Sequence, residues 1–291
     1  MLIAQITDLH VSEPGSLVDA IVDPNSMLAA AVRFLDGLEP RPDAVVATGD
    51  LTDRGRLEEY AILRDLLAPL RVPLYLLPGN HDERAALLDA FPDHSYLPRD
   101  GRPLCWVVDD HPVRIVGVDT TEIDRHDGVF DDERIEWLDA VLRARPDAPT
   151  IVAMHHPPFD TGVWWMDCVG LRQREPFESV IRRHRQVRRV ISGHVHRAVQ
   201  TTWGDTLVSV APSTAHQVGL DLCVGAAARI TSEPPMLTLV EWDGDRIVNH
   251  TASFLTPEHV IDLPAVVPDW DGARDFFLAR GPMPKTGSVL G

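Results

Sequence analysis

The chain of 291 residues has a single lysine, Lys285, and only three cysteines. Basic residues are in deficit as a class: 27 Lys and Arg stand against 44 Asp and Glu, a formal net charge of −17 with a pI near 5.1. Proteins that hold long polyanions do so with a basic stripe that releases counterions, so this balance argues against nonspecific binding of DNA, RNA or anionic membrane. The near absence of lysine is a compositional bias with no functional content. Cys105, Cys168 and Cys223 are odd in number, far apart and without Cys-x-x-Cys spacing. That excludes a fully paired disulfide framework and a Cys-rich zinc site, and it fits a reducing compartment. No apolar run approaches the roughly 18 to 20 residues of a membrane span. The opening residues Met1 to Ile6 are too short for a signal-peptide core and lack a basic flank, so a cytoplasmic location is expected. At 44% hydrophobic and 24% charged, the chain has the composition of a folded globular protein.

Short runs rich in Val, Ile and Leu predict strands at 2–7, 44–48, 74–77, 113–118, 150–154, 187–191 and 207–210. Helical periodicity predicts helices at 24–38, 57–67, 82–89, 131–143 and 172–185. Pro24 and the acidic Asp131-Asp132-Glu133 suit helix starts, where proline loses no hydrogen bond and carboxylates meet the positive dipole end. Strand and helix alternate, which implies an α/β fold. After Gly193 the pattern turns to strands alone, at 198–202, 207–210, 236–242 and 246–251. Asp243-Gly244-Asp245 marks a hairpin between the last two, and a second, more antiparallel sheet is expected. Residues 256–291, with five prolines and little periodicity, read as a Pro-rich C-terminal extension to a domain spanning 1–255.

The chemistry sits where the strands end. Asp8-Leu9-His10 follows the first, Gly49-Asp50 the second and Gly79-Asn80-His81 the third; Met154-His155-His156 and Gly193-His194-Val195-His196 follow two later ones. Ligands of open α/β sheets bind outside the carboxyl ends of the strands, so five such clusters converge on one crevice. The donors are carboxylate, carboxamide and imidazole with no thiolate, a set that suits Mn, Fe, Co or Zn. Asp8, His10, Asp50, Asn80, His155, His194 and His196 are too many for one ion. Two metal ions sharing a carboxylate use them all, and such a pair clamps a phosphate and presents a bridging hydroxide to it. Glycines 49, 79 and 193 let the backbone turn there with no Cβ in the way of the ligands.

This ordered set, with the phrases PDAVVATGDLTDRG, PLYLLPGNHDE, MHHPPFDTG and STAHQV around it, resembles the calcineurin-like metallophosphoesterase superfamily over roughly residues 1–220. Within it the chain is most similar to the class III cyclic-nucleotide phosphodiesterases and the related glycerophosphodiesterases of bacteria. The resemblance implies a four-layer α/β/β/α sandwich of two mixed sheets flanked by helices. It implies one metal held by Asp8, His10 and His196, another by Asn80, His155 and His194, and Asp50 bridging. His81 would contact the phosphate and assist the leaving group, since an imidazole there can donate a hydrogen bond to developing charge and, if protonated, act as general acid. Asp50 and His81 are thus the catalytic residues, and Asn80, His81 and His216 the substrate-side ones; His216 is otherwise a polar loop residue. The implied reaction is hydrolysis of a small phosphodiester, a cyclic nucleotide such as 3′,5′-cyclic AMP or a glycerophosphodiester. A phosphomonoesterase or a catalytically silent scaffold of the same fold are the alternatives. A homo-oligomer, dimeric or higher, is also implied.

Other features read more plainly. His156 points away from its neighbour on an extended chain and is expected to support the site without ligating. Arg54 is expected to form a local ion pair or to stand at a helix start. The arginines between 172 and 197 read as solvated helix-end charges, and the acidic stretch 119–133 as a solvated loop entering a helix. Trp164-Trp165-Met166 is expected on a loop, where adjacent exposed tryptophans call for a partner, a subunit or a substrate base.

Overall fold

The computed structural model describes residues 1–255; the Pro-rich segment 256–291 lies outside the described residues. In chain order the elements are β1 (Leu2–Ile6), α1 (Leu17–Val22), α2 (Pro24–Asp36), β2 (Ala44–Thr48), α3 (Leu57–Leu67), β3 (Leu74–Leu77), α4 (Arg84–Ala90), β4 (Trp106–Val108), β5 (Arg114–Val118) and α5 (Asp132–Arg143). There follow β6 (Thr150–Met154), α6 (Trp164–Asp167), α7 (Arg174–Arg183), β7 (Val187–Ser192), β8 (Val199–Trp203), β9 (Thr206–Val210), β10 (Gln217–Val218), β11 (Ile230–Thr231), β12 (Met236–Trp242) and β13 (Ile247–Ser253).

Two mixed sheets result, one ordered β13-β12-β1-β2-β3 and one ordered β4-β5-β6-β7-β9-β8, with β10 and β11 pairing apart. Parallel pairs, β1 with β2 and β2 with β3, then β5 with β6, β6 with β7 and β7 with β9, make up most of each sheet. Their strands are buried on both faces, and this is why they read as continuous apolar runs. Period-two alternation sorts the side chains. Ala4, Ile6, Val45, Ala47 and Leu76 pack against Leu28 and Leu35 of α2, Tyr60 and Leu63 of α3 and Leu87 of α4. Val116, Val118, Val152, Met154 and Val190 meet Leu138 and Leu142 of α5 and Phe177 and Ile181 of α7. The opposite faces, Ile3, Val46, Leu77 and Val240 from one sheet and Trp106, Ile115, Ile151, Ala153 and Ile191 from the other, meet each other. The layers are therefore helix, sheet, sheet, helix, as the resemblance implied.

The helix starts follow their local chemistry. Pro24 occupies the first turn of α2 behind Asp23, whose carboxylate accepts from Ser26 N, and Asp131 caps α5 by accepting from Arg134 N. Three expectations change. The late strands form no sheet of their own: β8 and β9 extend the second sheet, and the β12–β13 hairpin attaches antiparallel to β1. Hydrogen-bonding capacity at each sheet margin, invisible to local periodicity, decides this. The stretch 119–133 is not all solvated, because Asp119 is fully buried, accepting from Arg84 Nε at 2.7 Å, Leu104 N at 2.8 Å and Thr121 N at 2.9 Å. Trp164 and Trp165 lie on the short helix α6, which turns Met166 inward and leaves Trp164 partly exposed.

Candidate metal centre

The carboxyl ends of β1, β2, β3, β6 and β7 point the same way, and all seven expected ligands meet there. Asp8, His10, Asp50 and His196 are buried, with donor atoms within 4.8 Å of one another. His10 Nε2 lies 3.1 Å from His196 Nε2 and 3.8 Å from Asp50 Oδ2, and His196 Nε2 lies 3.5 Å from Asp8 Oδ1. Beside this group Asn80 Oδ1 lies 3.0 Å from His194 Nδ1 and 3.1 Å from His155 Nε2, and His155 Nε2 lies 3.3 Å from Asp50 Oδ1. Asp50 thus turns Oδ2 toward one lobe and Oδ1 toward the other. Donor atoms about 3 Å apart are the spacing that metal–ligand bonds of about 2.0–2.2 Å produce around a single ion.

The backbone is bent to make this possible. Asp8, His10, Asp50, His194 and His196 all have positive φ, between 47° and 72°, a region that non-glycine residues rarely occupy and that clusters at functional sites. Gly49, with φ +97°, could not be replaced without crowding: a Cβ there would fall 2.3 Å from His155 Nδ1. At Gly193 it would fall 2.0 Å from Thr7 Oγ1. Both turns therefore require glycine for space, and the turn at Gly49 requires it for conformation as well.

Charges inside the cluster are strongly coupled. Burial works against the charged form of Asp50, but the imidazoles of His155 and His81 outweigh it and hold its pKa well below the carboxylate range. Burial, with Asp50 beside it, pushes Asp8 up to about 6. For His155 burial is likewise outweighed, here by the Asp50 carboxylate, and its pKa rises to about 9. Burial and neighbouring imidazoles hold His194 and His196 well below the usual histidine value, in the neutral form that ligates metal.

Around these residues stand others. His81 donates its backbone N–H to Asp50 Oδ1 at 3.0 Å, and its Nδ1 lies 2.7 Å from Asp53 O. His216 faces the same crevice, its ring centroid 4.5 Å from that of His196 and 5.2 Å from that of His10, while its backbone oxygen lies 2.8 Å from His196 Nδ1. His156 is fully buried with Nδ1 2.8 Å from Thr120 Oγ1 and Nε2 3.1 Å from His126 O, and its ring stands beside His155 and His194 with donor atoms within 4.8 Å of theirs. Arg54 pairs with Asp53 at 3.5 Å.

Sequence reasoning missed Asp82, His126 and the α1 side of the crevice. Asp82 accepts five hydrogen bonds, from Leu51 N, Thr52 N, Thr52 Oγ1, Gly79 N and Tyr60 OH at 2.8–3.1 Å, and so ties the loop carrying Asp50 to the loop carrying Asn80 and His81. The signal was present, since Asp82 completes the phrase Gly79-Asn80-His81-Asp82. His126 reaches the crevice with Nδ1 3.1 Å from Asn80 Nδ2, arriving from a loop with no recognisable motif. The far wall is apolar: Leu17, Val18 and Ile21 of α1 with Trp165 and Met166 of α6 line a crevice of about 480 Å³ above the histidines. Only the packing of α1 and α6 over the strand ends brings them there.

Fold and site together define a metallophosphoesterase-like protein. The chain belongs to the calcineurin-like phosphoesterase family, whose model matches residues 1–198. It is 34% identical to a probable glycerophosphodiester phosphodiesterase of Arcobacter nitrofigilis, covering 87% of this chain and 93% of that one. It is also 34% identical to a probable cyclic nucleotide phosphodiesterase of Rhodopseudomonas palustris, covering 86% and 91% respectively. Among solved structures, a dimetal phosphatase from Danio rerio shares the fold with a TM-score of 0.63 at 16% identity, covering 88% of this chain and 96% of that one. Among the described residues no helix is long and apolar enough to cross a membrane.

Proposed function

We propose that the protein hydrolyses small phosphodiesters at a dinuclear metal centre. Asp8, His10 and His196 hold one ion, Asn80, His155 and His194 the other, and Asp50 joins them. The observation that carries this reading is the division of the Asp50 carboxylate between two lobes of donors, one oxygen toward each. A bound metal pair supplies the Lewis acidity that polarises a phosphate and activates water at neutral pH. The chain does the rest. Neutral imidazoles present lone pairs, the Asp53 carbonyl holds His81 Nδ1 and leaves Nε2 available to a substrate oxygen, and the apolar side chains of α1 and α6 border the crevice. From that position His81 hydrogen-bonds the phosphate and assists the leaving alkoxide, and His216 flanks the substrate.

Cyclic nucleotides such as 3′,5′-cyclic AMP and glycerophosphodiesters are the proposed substrates, supported by the names of the relatives. The donor set accommodates Mn, Fe, Co or Zn. The reading further includes a catalytic domain over 1–255 with 256–291 as an extension, a cytoplasmic location in keeping with the free thiols of Cys105, Cys168 and Cys223, and a homo-oligomeric state. The test is a panel of cyclic AMP, its 2′,3′ isomer, glycerophosphocholine, bis(p-nitrophenyl) phosphate and p-nitrophenyl phosphate on chelated enzyme reloaded with each metal. Chelation is expected to abolish turnover and reloading to restore it, with diesters preferred; a strong monoester preference overturns the diesterase reading. Asn80→Ala should empty the second site and lower kcat on the order of 100-fold or more, and undiminished activity would refute the ligand assignment.

A further inference from the structure

The filling between the two sheets is apolar from Ile3 and Val46 across to Ile115 and Ile191, and it ceases to be so where β7, β8 and β9 face β12 and β13. There Arg189, Gln200 and Ser209 from one sheet and Thr238, Asn249 and Thr251 from the other surround a cavity of about 150 Å³. Arg189 sits on the same face of β7 as Ile191 and is 1% exposed, one of the largest fully buried side chains in the protein. The arginines of this stretch are therefore not all solvated helix-end charges, as the sequence led one to expect. Its Nη2 donates to Ser209 Oγ at 2.9 Å, while Nε and Nη1 are buried with no hydrogen-bond partner among the described residues. Burial pushes its pKa down to about 10, with no carboxylate among the described residues to offset it, and at that value the guanidinium remains charged at neutral pH.

A buried cation with two idle donors is strongly unfavourable unless something accepts from it. The walls narrow the choice. They carry hydroxyls and carboxamides and no acid, which disfavours a cation and provides donors for an anion. Gln200, Asn249 and Thr251 are exposed, so the cavity opens to solvent at its lip while Arg189 forms its floor. The planar guanidinium offers its donors in pairs along its edges, Nε with Nη2 and Nη1 with Nη2, so one oxyanion accepts from one of the idle donors together with the second hydrogen of Nη2. We propose that this cavity is an anion site taking one small tetrahedral oxyanion, inorganic phosphate or sulfate, on the Arg189 guanidinium with Ser209, Thr238 and Thr251 around it. The site is separate from the candidate metal centre: Arg189 precedes His194 by five residues, about 16 Å of extended chain. Because both lie on the β7 segment, a bound oxyanion stabilises the strand that delivers His194 and His196.

Selenate, a tetrahedral oxyanion located by anomalous scattering, tests the position. In crystals of the full-length, metal-loaded protein a peak is expected between Arg189 and Thr251, and none in Arg189→Met; water alone at Arg189 in the wild type overturns the proposal. In solution, about 10 mM sulfate should raise Tm by about 2 to 4 °C over sodium chloride of equal ionic strength, and the rise should vanish in Arg189→Met. Thr251→Val, at the solvent-exposed lip, carries the same measurement if Arg189→Met does not fold. It should lose most of the rise while cleaving bis(p-nitrophenyl) phosphate as the wild type does. Equal rises in wild type and variants overturn the proposal. Sulfate and phosphate tested side by side show which oxyanion the site prefers.

Discussion

Asp82 touches no expected ligand with its side chain, yet it organises the two loops that carry Asp50, Asn80 and His81. Its carboxylate satisfies three backbone N–H groups and two hydroxyls, and an amide in its place turns one acceptor into a donor facing those same groups. Asp82→Asn should therefore lower Tm and cut activity by about 10- to 100-fold, partly recovered by excess metal; wild-type metal affinity in this variant would show that the loops hold without it. Protonation is also argued at this scale. The raised pKa of His155 means that the metal-free fold gains from its charged form: the stability is fully present below the ordinary histidine value and is lost as pH rises through about 9. Metal needs the neutral form. Chelated protein should lose Tm between pH 7 and 9 while metal affinity rises over the same interval, and calorimetry in two buffers should show more proton release on metal binding at pH 7 than at pH 9. No difference in proton release would mean that His155 is already neutral or does not ligate.

At the scale of the element, the junctions after the parallel strands decide whether a centre forms at all. β2 must pass through Gly49 at φ +97°, against His155, before it presents Asp50. Gly49→Ala places a methyl 2.3 Å from His155 Nδ1, so the histidine or the strand end must move. The expected result is a folded protein by circular dichroism with reduced Tm and less than the full complement of metal by elemental analysis. Most element bounds were legible because both faces of the parallel strands are buried and the flanking helices carry a clear apolar stripe. β3, α3, β6 and β12 fall where periodicity places them. Short pieces escaped: α1 and α6 are of six and four residues, too short for a repeat to show, and β4 is a three-residue edge strand held by Trp106 packing on Gly117.

For the whole molecule the excess of acid remains, and it acts at a distance that the site does not. Bound ions dominate the field inside the crevice, whereas a long polyanion meets a surface of net charge −17 first. Single-stranded DNA or RNA should show no binding by filter assay or anisotropy at about 0.15 M salt, where the Debye length is about 8 Å; tight binding there would overturn the restriction to small substrates. The sequence by itself brought forward the seven candidate ligands, their order along the chain and the α/β class. Asp8 and His10, and His194 and His196, are two apart in the chain, and the longer strands announce themselves by local composition. Only the tertiary structure decided that the late hairpins complete the two sheets, that Asp82 and His126 adjoin the candidate centre, that α1 and α6 wall the crevice, and that Arg189 is buried with Nε and Nη1 unpaired among the described residues. Those facts depend on contacts between residues far apart in the chain, and burial and hydrogen-bond satisfaction are properties of the packed whole that no local pattern encodes.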